Sequence, residues 1–239
     1  MAGFDAYAAT TRVALVSLGA VLLGSVAGAV GAAATSGLPE SLSYGVQSAL
    51  ASVVIGAVAV AAVRVRGENR VRGGPLDFFD LARPSARTVG VGVVAGVAML
   101  GLLWAFGVLT TALDVPSASH GVQERIEANP TIALVMSVVS LVFVAPGEEL
   151  LARGFVQKTL YDHYSPRLAV VVASAVFAGV HVFAYATAPA LAVAASLTQL
   201  FCVSLVLGAV YLCTKNLVAP IVAHGVYNAV QFLLIYITV

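Results

Sequence analysis

Charged residues are scarce in this sequence. They make up 10% of its 239 residues, whereas soluble domains carry about 25%. The hydrophobic share is 60% and the mean hydropathy is +1.00. This composition excludes an ordinary soluble domain and predicts a polytopic membrane protein. The net charge of +1 leaves no basic footprint for nucleic-acid binding.

Cysteine is equally rare. Cys202 and Cys213 are the only two, and they fall in one predicted helix, roughly 16 Å apart along its axis. A disulfide cannot span that distance, so we interpret both as buried structural thiols. The sequence lacks a CxxC pair, a Cys/His zinc cluster and the HExxH zincin motif. It also lacks GxSxG and a conspicuous serine–lysine pair, so nothing supports a serine nucleophile.

Long apolar runs dominate the chain. A membrane-spanning helix needs about 20 apolar residues, and seven segments meet that length, which predicts an all-α transmembrane bundle. They are Val13–Ala34, Ser43–Val63, Val89–Leu113, Pro130–Tyr164, Leu168–Ala186, Leu191–Cys213 and Val218–Thr238. The fourth is too long for one simple crossing. We expect a long helix kinked at Pro146-Gly147, or two separate helices, because proline disrupts the preceding turn.

The few charges indicate an orientation. The loop Arg64–Arg87 carries most of the arginines, and the positive-inside rule predicts that it is cytoplasmic. Its arginines are Arg64, Arg66, Arg70, Arg72, Arg83 and Arg87. Seven crossings from a cytoplasmic N-terminus place Lys158–Arg167 and Lys215 on the same side. Within the loop, Pro75–Leu81 is expected to form a short interfacial helix. The segment Asp114–Asn129, with a solvated His120, is expected to be an outer loop.

One polar stretch, Pro146–Gly154, interrupts the fourth apolar segment. An intramembrane carboxylate costs roughly 3 kcal/mol or more unless it is paired or hydrated. Glu149 and Arg153 have i, i+4 spacing and can neutralise each other on a helix. Glu148 is rotated by about 100° from Glu149 and has no cation on its own helix. The stretch is therefore either a structural ion cluster or a site where Glu148 handles a proton.

Three further polar residues fall at membrane depth: His181, His224 and Asn228. His224 and Asn228 are i, i+4 and share a helix face. Each residue taken alone is compatible with simple packing. Taken with the glutamates, they predict one inward-facing polar cavity, because separate placements would leave polar groups unsatisfied in hydrocarbon.

This set of residues has the groups needed to hydrolyse a peptide without a covalent intermediate. Glu148 can activate water, a histidine can share that water or hold a metal, and the His224–Asn228 pair can donate to an oxyanion. Glu148, His181 and His224 could equally serve as three zinc ligands with a fourth position for water. The residues leave both alternatives open.

The motifs Glu148-Glu149 with Arg153, Phe177 with His181, and His224 with Asn228 read as EExxxR, FxxxH and HxxxN. They resemble the three motifs of the CAAX protease and bacteriocin-processing (CPBP, or Abi) family, which includes the type II CAAX prenyl endopeptidases. The likeness covers about Pro130–Val239. We accordingly divide one integral membrane unit into N-terminal helices, 1–129, and a CPBP-like catalytic core, 130–239.

The resemblance implies an intramembrane protease whose cavity opens toward the cytosol. It implies that Glu148 and His181 activate water and that His224 and Asn228 stabilise the oxyanion, with support from Glu149, Arg153 and Phe177. Zinc is implied where the family acts as a metalloprotease, while a metal-independent glutamate mechanism is the alternative. The partners would be the lipid bilayer and a membrane-associated peptide or protein. Two lysines against ten arginines suggest a GC-rich prokaryotic source, which disfavours a prenylated substrate.

Two other function classes use the same residues. A proton-coupled transporter could employ the buried acids and histidines as a relay, but transporters often show inverted repeats, and none is evident here. A non-catalytic membrane scaffold would suit the glycine-rich first segment but does not explain the polar residues.

Overall fold

The computed structural model describes residues 2–65, 75–116, 118, 121–185 and 187–239. Arg66, Arg70, Arg72, His120 and Ala186 lie outside these described residues, so the predictions made for them stay predictions. The described part is mostly helical and contains no strand. The predicted all-α fold is therefore confirmed.

Nine helices, α1 to α9, follow one another in the described chain, and two of them are composite. Helix α6 alternates α and π segments, and α7 ends in a 3₁₀ turn, His181–Tyr185. Their bounds are α1 Ala2–Ala34, α2 Glu40–Val65, α3 Pro75–Phe78, α4 Ala86–Ala112, α5 Gly121–Ala128, α6 Thr131–Leu160, α7 Pro166–Tyr185, α8 Ala190–Thr214 and α9 Val218–Thr238.

Seven of these helices are long and apolar enough to cross a membrane: α1, α2, α4, α6, α7, α8 and α9. The predicted number of spans is confirmed, and most predicted helix ends lie within a few residues of the observed ones. Helix α1 begins well before the predicted Val13, because its first turns, which carry Asp5 and Arg12, are also helical. The predicted loop Asp114–Asn129 is wrong in part, since it contains α5. That helix is short and polar, and Ile126 is its one buried apolar residue.

The fourth span is a single composite helix rather than two helices. A π segment, Ser140–Val144, directly precedes Pro146, and a second, Leu150–Gln157, directly follows Glu149. Proline has no backbone N–H and clashes with the preceding turn. Each π segment adds a residue to its turn and so rotates the side chains that follow it. The Glu148–Glu149 pair therefore occupies a short α segment between two changes of helical register.

The two ends of the bundle are each closed by polar contacts between helices. At one end, Glu40 of α2 accepts a hydrogen bond from Asn129 at 3.2 Å and pairs with Arg125 of α5 at 3.7 Å. We call this the α5 end. At the other end, Asp80 binds Lys158 at 2.7 Å and accepts a hydrogen bond from Tyr211 at 2.6 Å. We call this the Asp80 end.

Helices α2 and α6 pack at the Glu148 level with almost no space between their backbones. A Cβ added to Gly147 would lie 2.3 Å from the carbonyl oxygen of Ser52. Small residues allow such close approach between membrane helices. The glycine beside Glu148 thus fixes the distance between the N-terminal helices and the polar stretch.

The interpretation of both cysteines as buried is wrong. Cys202 is half-buried and Cys213 is exposed, and both are free thiols. Both lie on α8, where part of the helix surface faces away from the protein interior.

Replacing Gly147 with alanine tests the close α2–α6 contact. We expect Gly147→Ala to lower the free energy of unfolding by about 1–3 kcal/mol, since overpacking forces backbone shifts. Gly101→Ala is the matched control, because nothing lies within 4 Å of its added Cβ. Helix propensity alone should make that control neutral or slightly stabilising. Thermal unfolding in detergent, followed by circular dichroism, measures both variants. Equal midpoints for the two would contradict the packing account.

Candidate active site

The innermost part of the site is a carboxylate shared by two partners. Glu149 is fully buried, and its Oε1 accepts hydrogen bonds from Arg153 Nη1 at 2.9 Å and from His224 Nδ1 at 2.8 Å. The Arg153 guanidinium also donates to the backbone and hydroxyl oxygens of Ser204, at 2.8 and 2.6 Å. One buried ion pair therefore joins α6, α8 and α9.

Glu148 points away from this ion pair and is accessible. Its side chain is 22% exposed, against 0% for Glu149. Its Oε2 lies 3.9 Å from Nε2 of His181 and 3.9 Å from Nε2 of His224. Those separations are too long for direct hydrogen bonds. They are short enough for one small molecule to contact the carboxylate and either ring.

The second nitrogen of each ring has a fixed partner. His181 Nδ1 lies 2.7 Å from the carbonyl oxygen of Phe177, and His224 Nδ1 bonds the Glu149 carboxylate. A carbonyl or a carboxylate can only accept, so both Nδ1 atoms donate. These contacts orient both rings with Nε2 toward Glu148. They also differ in kind, because the partner of His181 is neutral and the partner of His224 is anionic.

Phe177 packs among the polar groups. Its ring centroid lies 4.5 Å from that of His181 and 6.3 Å from that of His224, and the Arg153 guanidinium lies over the ring, 5.0 Å from the centroid. A cation over an aromatic face is favourable. The ring therefore contacts both the buried cation and the imidazoles.

A cavity of about 370 Å³ contains the site. Glu148, His181, His224 and Asn228 all line it, so the structure brings the four predicted catalytic side chains to one cavity. Further polar side chains line it as well. They are Ser48, Ser52, Gln123, Ser140, Gln199, Tyr227 and Gln231.

A second cavity, of about 320 Å³, meets the first at Glu148, Phe177, His181 and Ile55. Most of its remaining lining is apolar and comes from α1, α6 and α7. Glu148 and His181 therefore lie where the two cavities meet, and the first cavity carries more polar side chains than the second. Helices α1 and α2 contribute to these walls, so the N-terminal part of the chain completes the site.

Sequence reasoning missed several residues of this site. Ser204 binds Arg153 across 51 residues of chain, and no local spacing indicates that contact. Ser140 was also missed. It lines the cavity, and its buried hydroxyl has no hydrogen-bond partner within the described residues. Serines on apolar helices usually bond the backbone of the preceding turn. The sequence therefore does not distinguish Ser140 and Ser204 from serines that have no role in a site.

The predicted zinc ligands do not form a metal site in their present arrangement. Within the described residues, no group of three or more His, Cys, Asp or Glu side chains is arranged to hold a metal. Ligands of a tetrahedral zinc with bonds of about 2.0–2.1 Å lie roughly 3.3 Å apart, whereas Glu148 lies 3.9 Å from each imidazole. Zinc stays a prediction from the resemblance, and no step proposed below uses it.

Part of the chain matches a known family. Residues 130–230 match the family model described as "Type II CAAX prenyl endopeptidase Rce1-like". The CAAX-protease resemblance is confirmed over this segment. Searches of curated proteins and of solved structures found no match.

The Rce1-like match includes every residue of the three motifs, from Glu148 to Asn228. It supports a CAAX-protease-like intramembrane endopeptidase in general terms. Together with the seven apolar helices, it identifies an integral, multi-pass membrane protein. The role of each site residue stays a prediction.

Removing the buried guanidinium tests whether the ion pair holds α6, α8 and α9 together. We expect Arg153→Met to lower the free energy of unfolding by about 3–5 kcal/mol, because it leaves the Glu149 charge buried without its cation. Ser204→Ala should cost less, about 1.5–3 kcal/mol, since it removes one hydrogen bond to a charged group. Arg167→Met is the control, because Arg167 is exposed. Denaturation in detergent measures all three. An Arg153→Met variant as stable as the control would refute the role of the ion pair.

Proposed function

We propose that this protein is an intramembrane endopeptidase that hydrolyses a peptide bond with water activated by Glu148 and His181. The observation that carries the proposal is the convergence of one accessible carboxylate and two oriented imidazoles on one cavity within the membrane span. The Rce1-like match supports the same reaction class.

In this mechanism the activating groups are Glu148 and His181. A water molecule between them loses a proton to the Glu148 carboxylate as its oxygen attacks the scissile carbonyl carbon. His181 orients the water, because its Nδ1 donates to a neutral carbonyl and its Nε2 can accept a hydrogen bond. General-base catalysis of this kind contributes about 10²–10⁴-fold in rate.

The oxyanion that forms is stabilised by His224 and Asn228. When Nε2 of His224 carries a proton, the ring is cationic, and the Glu149 carboxylate at Nδ1 stabilises that charge. The Asn228 amide lines the same cavity one helical turn away and supplies a second donor. Glu148 then gives its proton to the leaving amine, the C–N bond breaks, and the carboxylate is restored.

The two adjoining cavities support a membrane-associated substrate. The second cavity, lined mostly by apolar side chains, suits an apolar portion of the substrate. The first offers more polar side chains to peptide backbone, which needs hydrogen-bond partners at membrane depth. Glu148 and His181 lie where the two cavities meet. Trapping with Glu148→Ala in native membranes, followed by identification of the bound polypeptide, would identify the substrate.

Conservative replacement of Glu148 tests the proposed chemistry. We expect Glu148→Gln to lower the rate of peptide cleavage in detergent by about 10²–10⁴-fold, because the amide cannot accept the water proton. The thermal midpoint should change little, since Glu148 is not part of the buried ion pair. Glu127→Gln is the matched control on an exposed carboxylate. Cleavage by Glu148→Gln at the control rate would end the proposal.

Metal dependence requires a separate experiment. Metal analysis of the purified, active protein, combined with exhaustive chelation, distinguishes the two mechanisms. Activity that persists without bound metal supports the glutamate mechanism. Activity lost on chelation and restored by zinc supports a metalloprotease.

A further inference from the structure

Asp80 contacts three helices from one position in the chain. Its carboxylate oxygen Oδ2 lies 2.7 Å from Nζ of Lys158, near the end of α6, and accepts a hydrogen bond of 2.6 Å from the Tyr211 hydroxyl of α8. Its backbone carbonyl oxygen accepts a hydrogen bond of 3.2 Å from the backbone N–H of Leu217, the residue before α9. Asp80 therefore joins α6, α8 and α9, the same three helices that the buried ion pair joins inside the site.

The backbone of Asp80 has a conformation that residues with a side chain rarely adopt. Its φ of +51° lies in the left-handed region, which is unfavourable for a residue with a Cβ, although aspartate and asparagine tolerate it better than most. Strain of this kind persists only where surrounding contacts hold it, and it is concentrated at functional positions. The contacts of Asp80 with three helices hold this conformation in place.

The residue before Asp80 packs close to the site. The Phe79 side chain is fully buried, and a Cβ added to Gly154 would overlap its ring. Gly154 directly follows Arg153 and belongs to the π segment Leu150–Gln157. Phe79 thus fills the space beside the turn that carries the buried guanidinium.

The Asp80 contact and the buried ion pair lie one to two turns apart on each of the three helices. At a rise of 1.5 Å per residue, spacings of five to seven residues correspond to about 7–11 Å. A helix segment of that length moves as a rigid element, so the position of each helix at Asp80 also determines its position at the ion pair. The spaced residues are Arg153 and Lys158 on α6, Ser204 and Tyr211 on α8, and His224 and Leu217 on α9.

We infer that Asp80 is a positioning residue of the active site. By fixing α6, α8 and α9 relative to one another, it holds the buried ion pair in register and keeps Nε2 of His224 directed at Glu148. The catalytic consequence of this position rests on the proposed function. Asp80 lies outside residues 130–230, which match the family model, so the N-terminal part of the chain supplies a residue that acts on the catalytic groups.

The reactivity of His224 toward diethyl pyrocarbonate tests this role without a substrate. The reagent acylates accessible imidazole nitrogens, and mass spectrometry gives the rate at each histidine. His224 is buried, whereas His163 is exposed and serves as the internal reference. Asp80→Asn removes the charge that binds Lys158 but keeps a side chain that tolerates the left-handed backbone. We expect this variant to raise the ratio of the His224 rate to the His163 rate by roughly 2–30-fold, the range of coupling between linked sites.

Two control variants separate positioning from a general loss of stability. Asp77→Asn removes an exposed carboxylate from the same segment. Gly45→Ala adds a Cβ only 2.6 Å from Val135, which destabilises the contact of α2 with α6 far from Asp80. Both controls should keep the parent ratio when the reaction is run well below the thermal midpoint. If Asp80→Asn does not fold, Tyr211→Phe, which removes a single hydrogen bond to Asp80, should raise the ratio in the same direction.

Two results would overturn the inference. In the first, Asp80→Asn, or Tyr211→Phe in its place, has the ratio of the parent. In the second, Gly45→Ala raises the ratio as much as the Asp80 variant does, so that the effect follows stability rather than position. Neither readout requires catalysis. A failure of the proposed hydrolysis would be seen separately, in the Glu148→Gln assay.

Discussion

The Glu149 carboxylate, shared between Arg153 and His224, is the interaction on which the rest of the site depends. Burying a charge is costly unless it is paired and hydrogen-bonded, and here one oxygen serves a guanidinium and an imidazole together. Because Ser204 binds the same guanidinium, three helices must meet in one register. That register turns Nε2 of His224 toward Glu148, so the buried ion pair positions this imidazole relative to the accessible glutamate.

Adjacent glutamates have opposite surroundings because of the helix that carries them. Successive residues of a helix point about 100° apart, so Glu149 faces α8 and α9 while Glu148 faces the cavity. The π segments on both sides adjust the register of the flanking turns, and Gly147 allows α2 to approach at the same level. A structural acid and an accessible acid thus come from two neighbouring positions, and only the second is available for chemistry.

Sequence reasoning predicted the parts of this arrangement that depend on local spacing. The Glu149–Arg153 pair follows from i, i+4 geometry, and the seven spans follow from apolar length. Sequence reasoning could not predict contacts made across the bundle. The hydrogen bond from Arg153 to Ser204, the ion pair of Lys158 with Asp80, and the packing of Phe79 against Gly154 each join residues far apart in the chain. Helix α5 was missed because it is short and polar.

A double-mutant cycle on stability is the most direct test of the shared carboxylate, and it requires no substrate. The free energy of unfolding in detergent would be measured for the parent, Glu149→Gln, His224→Ala and the double variant. The account predicts an interaction energy of about 0.5–3 kcal/mol, as expected for residues in direct contact within one network. Single effects that add to within about 0.3–0.5 kcal/mol, as independent sites do, would contradict it.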